Sequence, residues 1–171
     1  DGFDGDVDGH FVTHIRCVLP RVKFAAFDGG AGTDTITGSS KVDTIIASAG
    51  GDSVNGGTGS DNYVATALDA VKEVTTQTNE STGVVINLGS TAITNTTISL
   101  SGVGVTADTV TSVAAGKVAY LYAAAEATNS AVLSTLTSIE NVTGSAGHDY
   151  IVGSASANVL TASAGTDYAD A

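Results

Sequence analysis

Four aspartates recur nine residues apart: Asp34, Asp43, Asp52 and Asp61. Two places after each stands an apolar side chain: Ile36, Ile45, Val54 and Tyr63. Carboxylates repeated at a fixed interval within Gly-rich turns suit a hard cation better than they suit catalysis. Carboxylates brought over one another repel unless a cation sits between them. Glycine lets the backbone take positive φ and turn its carbonyl oxygens toward the same point. Carboxylate plus carbonyl oxygen is a Ca²⁺ environment, whereas Mg²⁺ demands a tighter octahedron and keeps its waters.

The elements that must position these groups follow from the period. An inward apolar residue flanked by outward neighbours makes a three-residue strand, as in Thr35-Ile36-Thr37. The six residues before it, Gly29 to Asp34, are small and Gly-rich and read as a turn. Strand, turn, strand, turn predicts a flattened coil with two nonapeptides per lap. Asp34 then lies over Asp52 on one edge and Asp43 over Asp61 on the other, with the apolar column filling the slot between two thin sheets. The same columns return from residue 144, in GSAGHDYIV GSASANVLT ASAGTDYAD. Asp149, Asn158 and Asp167 fill one column, and Ile151, Leu160 and Ala169 the other. The 88 residues from Asp61 to Asp149 are not a multiple of nine, so an insertion separates the blocks.

The expected fold class is all-β: parallel β-roll (β-solenoid) repeat blocks with a mostly β insertion between them. The expected divisions are an N-terminal arm (1–28), a first block (29–64), a β-rich insertion packed on the blocks (65–143), and a second block (144–171) that continues beyond the chain. Within the insertion VVINL (84–88), ISLSGVGV (98–105) and VAYLY (118–122) read as strands. The run AYLYAAAEA reads alternatively as a helical turn or two.

Composition narrows the function. The net charge is -12, from 6 Lys+Arg against 18 Asp+Glu, and phosphate repulsion disfavours a nucleic-acid partner. No apolar run is long enough to cross a bilayer, and no segment has a signal-peptide layout, so export is expected by another route. The single Cys17 permits no intrachain disulfide. No nucleophile elbow with partners and no phosphate-binding loop occurs, and the chain is not expected to be an enzyme. DGDVDGHF (4–11) begins like an EF-hand loop with Asp4, Asp6, Asp8 and Gly9, but its twelfth position is Ile15 instead of glutamate. His10 and His14 have helical ligand spacing without the glutamate of a zinc protease, and read as a surface pair. Asn79, Asn95 and Asn141 lie in glycosylation sequons, which arise easily in a Ser/Thr-rich chain.

The nonapeptides resemble the RTX family, whose repeat is G-G-x-G-x-D-x-U-x with U apolar. GGAGTDTIT (29–37) and GGTGSDNYV (56–64) fit every fixed position. GSSKVDTII departs from it with Lys41 in place of the fourth-position glycine, and GSASANVLT with Asn158 in place of aspartate. The stretch LTSIENVTGSAGHDYIVG (136–153) is similar to the usual lead-in to such a block. The resemblance implies Ca²⁺ between the turns of repeats n and n+2, with ligands from Asp34, Asp52, Asp43, Asp61, Asp149 and Asp167. It implies further ligands at the turn glycines Gly30, Gly32, Gly50, Gly57, Gly59, Gly147 and Gly165. Asp34 with Asp52 is expected to be the stronger site, because Lys41 brings positive charge to the turn of Asp43 and Asp61. Asn158 is expected to lack a partner repeat.

Together these readings imply an extracellular or cell-surface segment of structural or adhesive type, exported by a type I-like route, which folds on Ca²⁺ outside the cell. Expected partners are calcium ions and other copies of the chain in a surface assembly. The competing expectation is a C-terminal folding and secretion module of a larger exported protease or lipase.

Overall fold

Alternate residues of a strand face opposite sides, so a Thr-Ile-Thr triplet can bury only its middle member. The computed structural model describes residues 15–16, 25–30, 32–48, 51–65, 81–98, 108–123 and 132–171. The first repeats form β1 (Ile15–Arg16), β2 (Ala25–Asp28), β3 (Thr35–Thr37), β4 (Asp43–Ile46), β5 (Asp52–Asn55) and β6 (Asn62–Val64). Ile36, Ile45, Val54 and Tyr63 are all buried, none more than 2% exposed. β3 pairs in parallel with β5, placing Ile36 beside Val54, and β4 pairs in parallel with β6, placing Ile45 beside Tyr63. Each strand thus pairs with the one two repeats away, and neighbouring repeats lie in different sheets.

The chain continues through β7 (Ser81–Asn87), β8 (Ile93–Ile98), β9 (Asp108–Val113), β10 (Lys117–Ala123), β11 (Val132–Thr137), β12 (Asn141–Thr143), β13 (Tyr150–Val152), β14 (Val159–Thr161) and β15 (Tyr168–Asp170). Among the described residues every element is a strand. The smaller sheet, β14-β12-β6-β4-β2, is parallel throughout and passes directly from the first block to the second. The larger sheet is mixed. Its order is β1-β3-β5-β11-β10-β7-β13-β15, with β11 parallel to β5, β10 antiparallel to both β11 and β7, and β13 parallel to β7.

The reason lies in the connections. A parallel neighbour needs a crossover, which in the repeats is the intervening strand of the opposite sheet. Insertion strands joined by short connections fold back instead, as β9 does into β10 through a turn at Gly116 (φ 67). The insertion is therefore built into the larger sheet rather than laid on the blocks. One core runs from Phe27 to Ile151 and includes Val84, Ile86 and Val118 of the insertion. On the other face of β7 and β10, Val85 and Ala119 form a second cluster with Ile93 and Val113. The apolar column weakens past Ile151: Leu160 is half-buried and Ala169 exposed. The Ala-rich run is strand as far as Ala123, so the helical alternative does not hold there. Residues 124–131 and 99–107, which include all but the first residue of the strand expected at 98–105, lie outside the described residues.

Candidate metal centre

Each carboxylate ends a turn, one residue before its strand triplet, so the strand register decides which carboxylates meet. The amide of Asp34 donates to Asp52 Oδ1 at 3.0 Å, that of Asp43 to Asp61 Oδ1 at 2.8 Å, and that of Asp149 to Asp167 Oδ1 at 2.9 Å. All three pairs expected two repeats apart are thus brought together. Asp34, Asp43, Asp52, Asp61 and Asp149 are buried to 4% exposure or less, and Asp167 is half-buried.

Burying anionic oxygens without donors is costly. Most of these oxygens have donors, but Asp34 Oδ2 and Asp61 Oδ2 are buried with no hydrogen-bond partner. Loss of solvent raises the pKa of Asp34, and the charge of nearby Asp28 adds to the rise. Desolvation also pushes Asp61 up to about 6, with Asp43 and Glu140 adding repulsion against the hydrogen bond from the Asp43 amide. Asp149 is raised to about 6 by the same burial, and Asp52 is raised with the hydrogen bonds from Asp34 and Ser48 opposing it.

The turn glycines hold the backbone in the left-handed half of φ: 77° at Gly30, 127° at Gly32, 98° at Gly57, 153° at Gly59 and 118° at Gly165. At two of them the reason is contact. A Cβ on Gly57 would strike the carbonyl oxygen of Ser39, and one on Gly59 that of Lys41, so the two turns pack backbone against backbone. The carbonyl of Gly147 lies against Gly165 in the same way. Gly50 lies outside the described residues. Lys41 has an exposed side chain, and its carbonyl lies against Gly59. Asp61 shares with Asp34 the unpartnered oxygen, whereas Asp52 Oδ2 accepts from the Ser48 hydroxyl at 3.1 Å.

Sequence reasoning missed Glu140. The parallel register of β12 on β6 sets Glu140 beside Asp61, and the Asp61 amide donates to Glu140 Oε2 at 3.0 Å, as the Asp43 amide does to Asp61. Gly56 packs against the carbonyl of Ser138, so this turn is shorter than a repeat turn, and the longer glutamate makes up the reach. Beside it is a cleft of about 210 Å³ lined by Leu88, Gly116, Leu136 and Glu140. The available signal was the spacing of Glu140 and Val142, which matches that of an aspartate and its apolar follower. Asn158 meets no second nonapeptide but the Glu140 turn, its Nδ2 donating to the Glu140 carbonyl at 2.6 Å. The sequon residue Asn141 is engaged, its amide group donating to Ser60 and accepting from the Val159 amide. The motifs at Asp4, Asp6, Asp8, Gly9, His10 and His14, together with Cys17 and Asn79, lie outside the described residues.

Among the described residues no three of His, Cys, Asp and Glu converge on one point. Ca²⁺ takes six to eight oxygens, so a cation here would draw much of its shell from turn carbonyls such as those of Ser39 and Lys41. Unpartnered carboxylate oxygens, each pressed against a glycine (Gly29 for Asp34, Gly56 for Asp61), are groups whose charge such an ion would meet. Among the described residues no helix is long and apolar enough to cross a membrane. No curated protein matches the chain. The family model of the RTX calcium-binding nonapeptide repeat matches residues 28–63 and 138–171.

Proposed function

We propose, for a chain that carries two blocks of RTX calcium-binding nonapeptide repeats, that it is an extracellular structural or adhesive segment whose fold is completed by Ca²⁺. Repeats of this family bind Ca²⁺, and proteins that carry them are typically secreted. The observation that carries the reading is the pair of buried, unpartnered oxygens on Asp34 and Asp61. In this reading the repeat strands coil as a β-roll, and the insertion widens one of its sheets. Asp34 and Asp61 are the primary ligands, with Asp43, Asp52, Asp149, Asp167 and the turn glycines shaping the stacked edges. The ion supplies positive charge where the turns are otherwise electrostatically frustrated.

Where calcium is scarce, ionised carboxylates oppose stacking. Where it is abundant, it binds only the stacked turns, and its binding free energy becomes folding free energy. Extracellular calcium modules work near roughly 10⁻⁴ to 10⁻³ M. The structural role is supported by the insertion, rich in Ala, Thr, Ser and Val, which lengthens the larger sheet and adds β8 and β9 at its side. Sedimentation velocity in chelator and in millimolar calcium tests that role. Calcium-dependent, concentration-dependent self-association is expected. A compact monomer at every calcium and protein concentration would remove the assembly role and leave calcium-linked folding alone.

A further inference from the structure

Six of the seven turns fall into two chemical kinds, and the second residue of the nonapeptide separates those six. In the turns of Asp34 and Asp61 that residue is Gly30 or Gly57. Its amide is drawn away from the carboxylate by the last residue of the preceding strand: Gly30 donates to Asp28 Oδ1 at 2.9 Å, and Gly57 to Asn55 Oδ1 at 3.0 Å. These are the two turns with an unpartnered buried carboxylate oxygen. In the five other turns the second residue is serine, and in four of them it closes on the column residue of its own turn; in the fifth, Ser163 takes φ 64° and its hydroxyl donates instead to the Gly144 carbonyl at 3.2 Å. Asp43 Oδ2 accepts from the Ser39 amide at 2.6 Å and the Ser39 hydroxyl at 2.9 Å. Asp149 accepts from the Ser145 amide at 2.7 Å, the Ser145 hydroxyl at 2.6 Å and the Val84 amide at 2.9 Å. Asp52 accepts from the Ser48 hydroxyl at 3.1 Å, and Asn158, already uncharged, from the Ser154 amide at 2.7 Å.

We infer that a second-place serine that closes on the column residue of its own turn takes over the task of the cation, so that the chain carries calcium-demanding turns at Asp34 and Asp61 and self-sealed turns at Ser39, Ser48, Ser145 and Ser154. A carboxylate supplied with two or three donors has part of its burial cost offset locally, whereas one left with a bare oxygen has less of it offset and calls for a cation. The local signatures are Asp28-Gly29-Gly30 and Asn55-Gly56-Gly57 for the first kind, and Thr37-Gly38-Ser39 and Thr143-Gly144-Ser145 for the second. The chain then divides its labour. The first block reports calcium, and the turns of Asp149 and Asn158 hold the second block together without it.

This inference rests on the calcium reading above, and the experiment separates the two. Isothermal titration of Ca²⁺ into the chelator-stripped full chain gives the number of ions bound by the wild type, by Ser39→Gly and by Ser145→Gly, with thermal melts of each in chelator and in calcium. Each substitution should lower the melting temperature in chelator, restore it in calcium, and add one ion to the wild-type number. The reciprocal change, Asp28→Thr with Gly30→Ser, rebuilds the serine signature and should remove one ion. An unchanged or smaller number of ions in both Ser→Gly variants overturns the inference while leaving the calcium reading intact. No calcium binding by the wild type overturns both.

Discussion

Asp61→Asn puts the electrostatics of the column on trial. Asp61 is fully buried, with Oδ1 accepting from the Asp43 amide and Oδ2 bare. Its pKa stands at about 6 against an ordinary 3.8. At 1.36 kcal/mol per unit, ionising it at neutral pH costs the calcium-free fold about 3 kcal/mol. Asparagine keeps the oxygen that serves Asp43 and removes the charge. Its unpaired amide group returns about 1 kcal/mol of that cost. The native Asn158, in the same column of the same sheet, shows that the position accepts an amide. The calcium-free variant should therefore be more stable than wild type by about 2 kcal/mol, and melt about 4–8 °C higher in a chain of this length. Calcium reverses the order of benefit. At ten times its dissociation constant, an ion at this turn adds about 1.4 kcal/mol to the wild type and nothing to the variant. Melts in chelator at pH 7.5, and again across a calcium series, read both effects. A variant that melts below wild type in chelator refutes the reasoning, because the Asp61 carboxylate would then have been stabilising without any ion.

Three further outcomes follow from the same geometry. In chelator the fold should gain stability as pH falls from 7 toward 5. Folded Asp61 and Asp149 take up protons near pH 6, whereas the unfolded chain does so near 3.8, so between these values the folded state holds more protons; saturating calcium should flatten or invert the slope, which melts at several pH values will show. Gly59→Ala, at φ 153° against the Lys41 carbonyl, should cost about 1–3 kcal/mol and weaken calcium binding, read by urea unfolding and calorimetry. Ile45→Ala empties a fully buried place between the sheets and should cost about 2–5 kcal/mol in urea, with or without calcium.

What could be read from the sequence was whatever repeats. Ile36, Ile45, Val54 and Tyr63 are buried because period-two alternation inside a nine-residue repeat leaves no other inward place. The pairing of Asp34 with Asp52 follows from two turns per lap, and the structure has it. The insertion resisted for a different reason. Val118 meets Ile86, and Ile86 meets Ile151, across long stretches of chain, and no local pattern specifies such partners. Glu140 was hidden because its turn is short and lacks the repeat glycines, so a longer side chain replaced the spacing that a search relies on. The bare oxygens go with Asp28 and Asn55, at a place the repeat pattern leaves variable, while Ser39 stands where the pattern has glycine and serves Asp43.

The most direct measurement is far-UV circular dichroism of the chelator-stripped chain as Ca²⁺ is added, alongside the double variant Asp34→Asn, Asp61→Asn. The wild type should gain β signal and melting temperature saturably with calcium, and the double variant should show little response. A wild-type chain whose spectrum and melting temperature ignore calcium, or a double variant that responds as fully as wild type, would contradict the assignment of these two carboxylates as the calcium ligands that complete the fold.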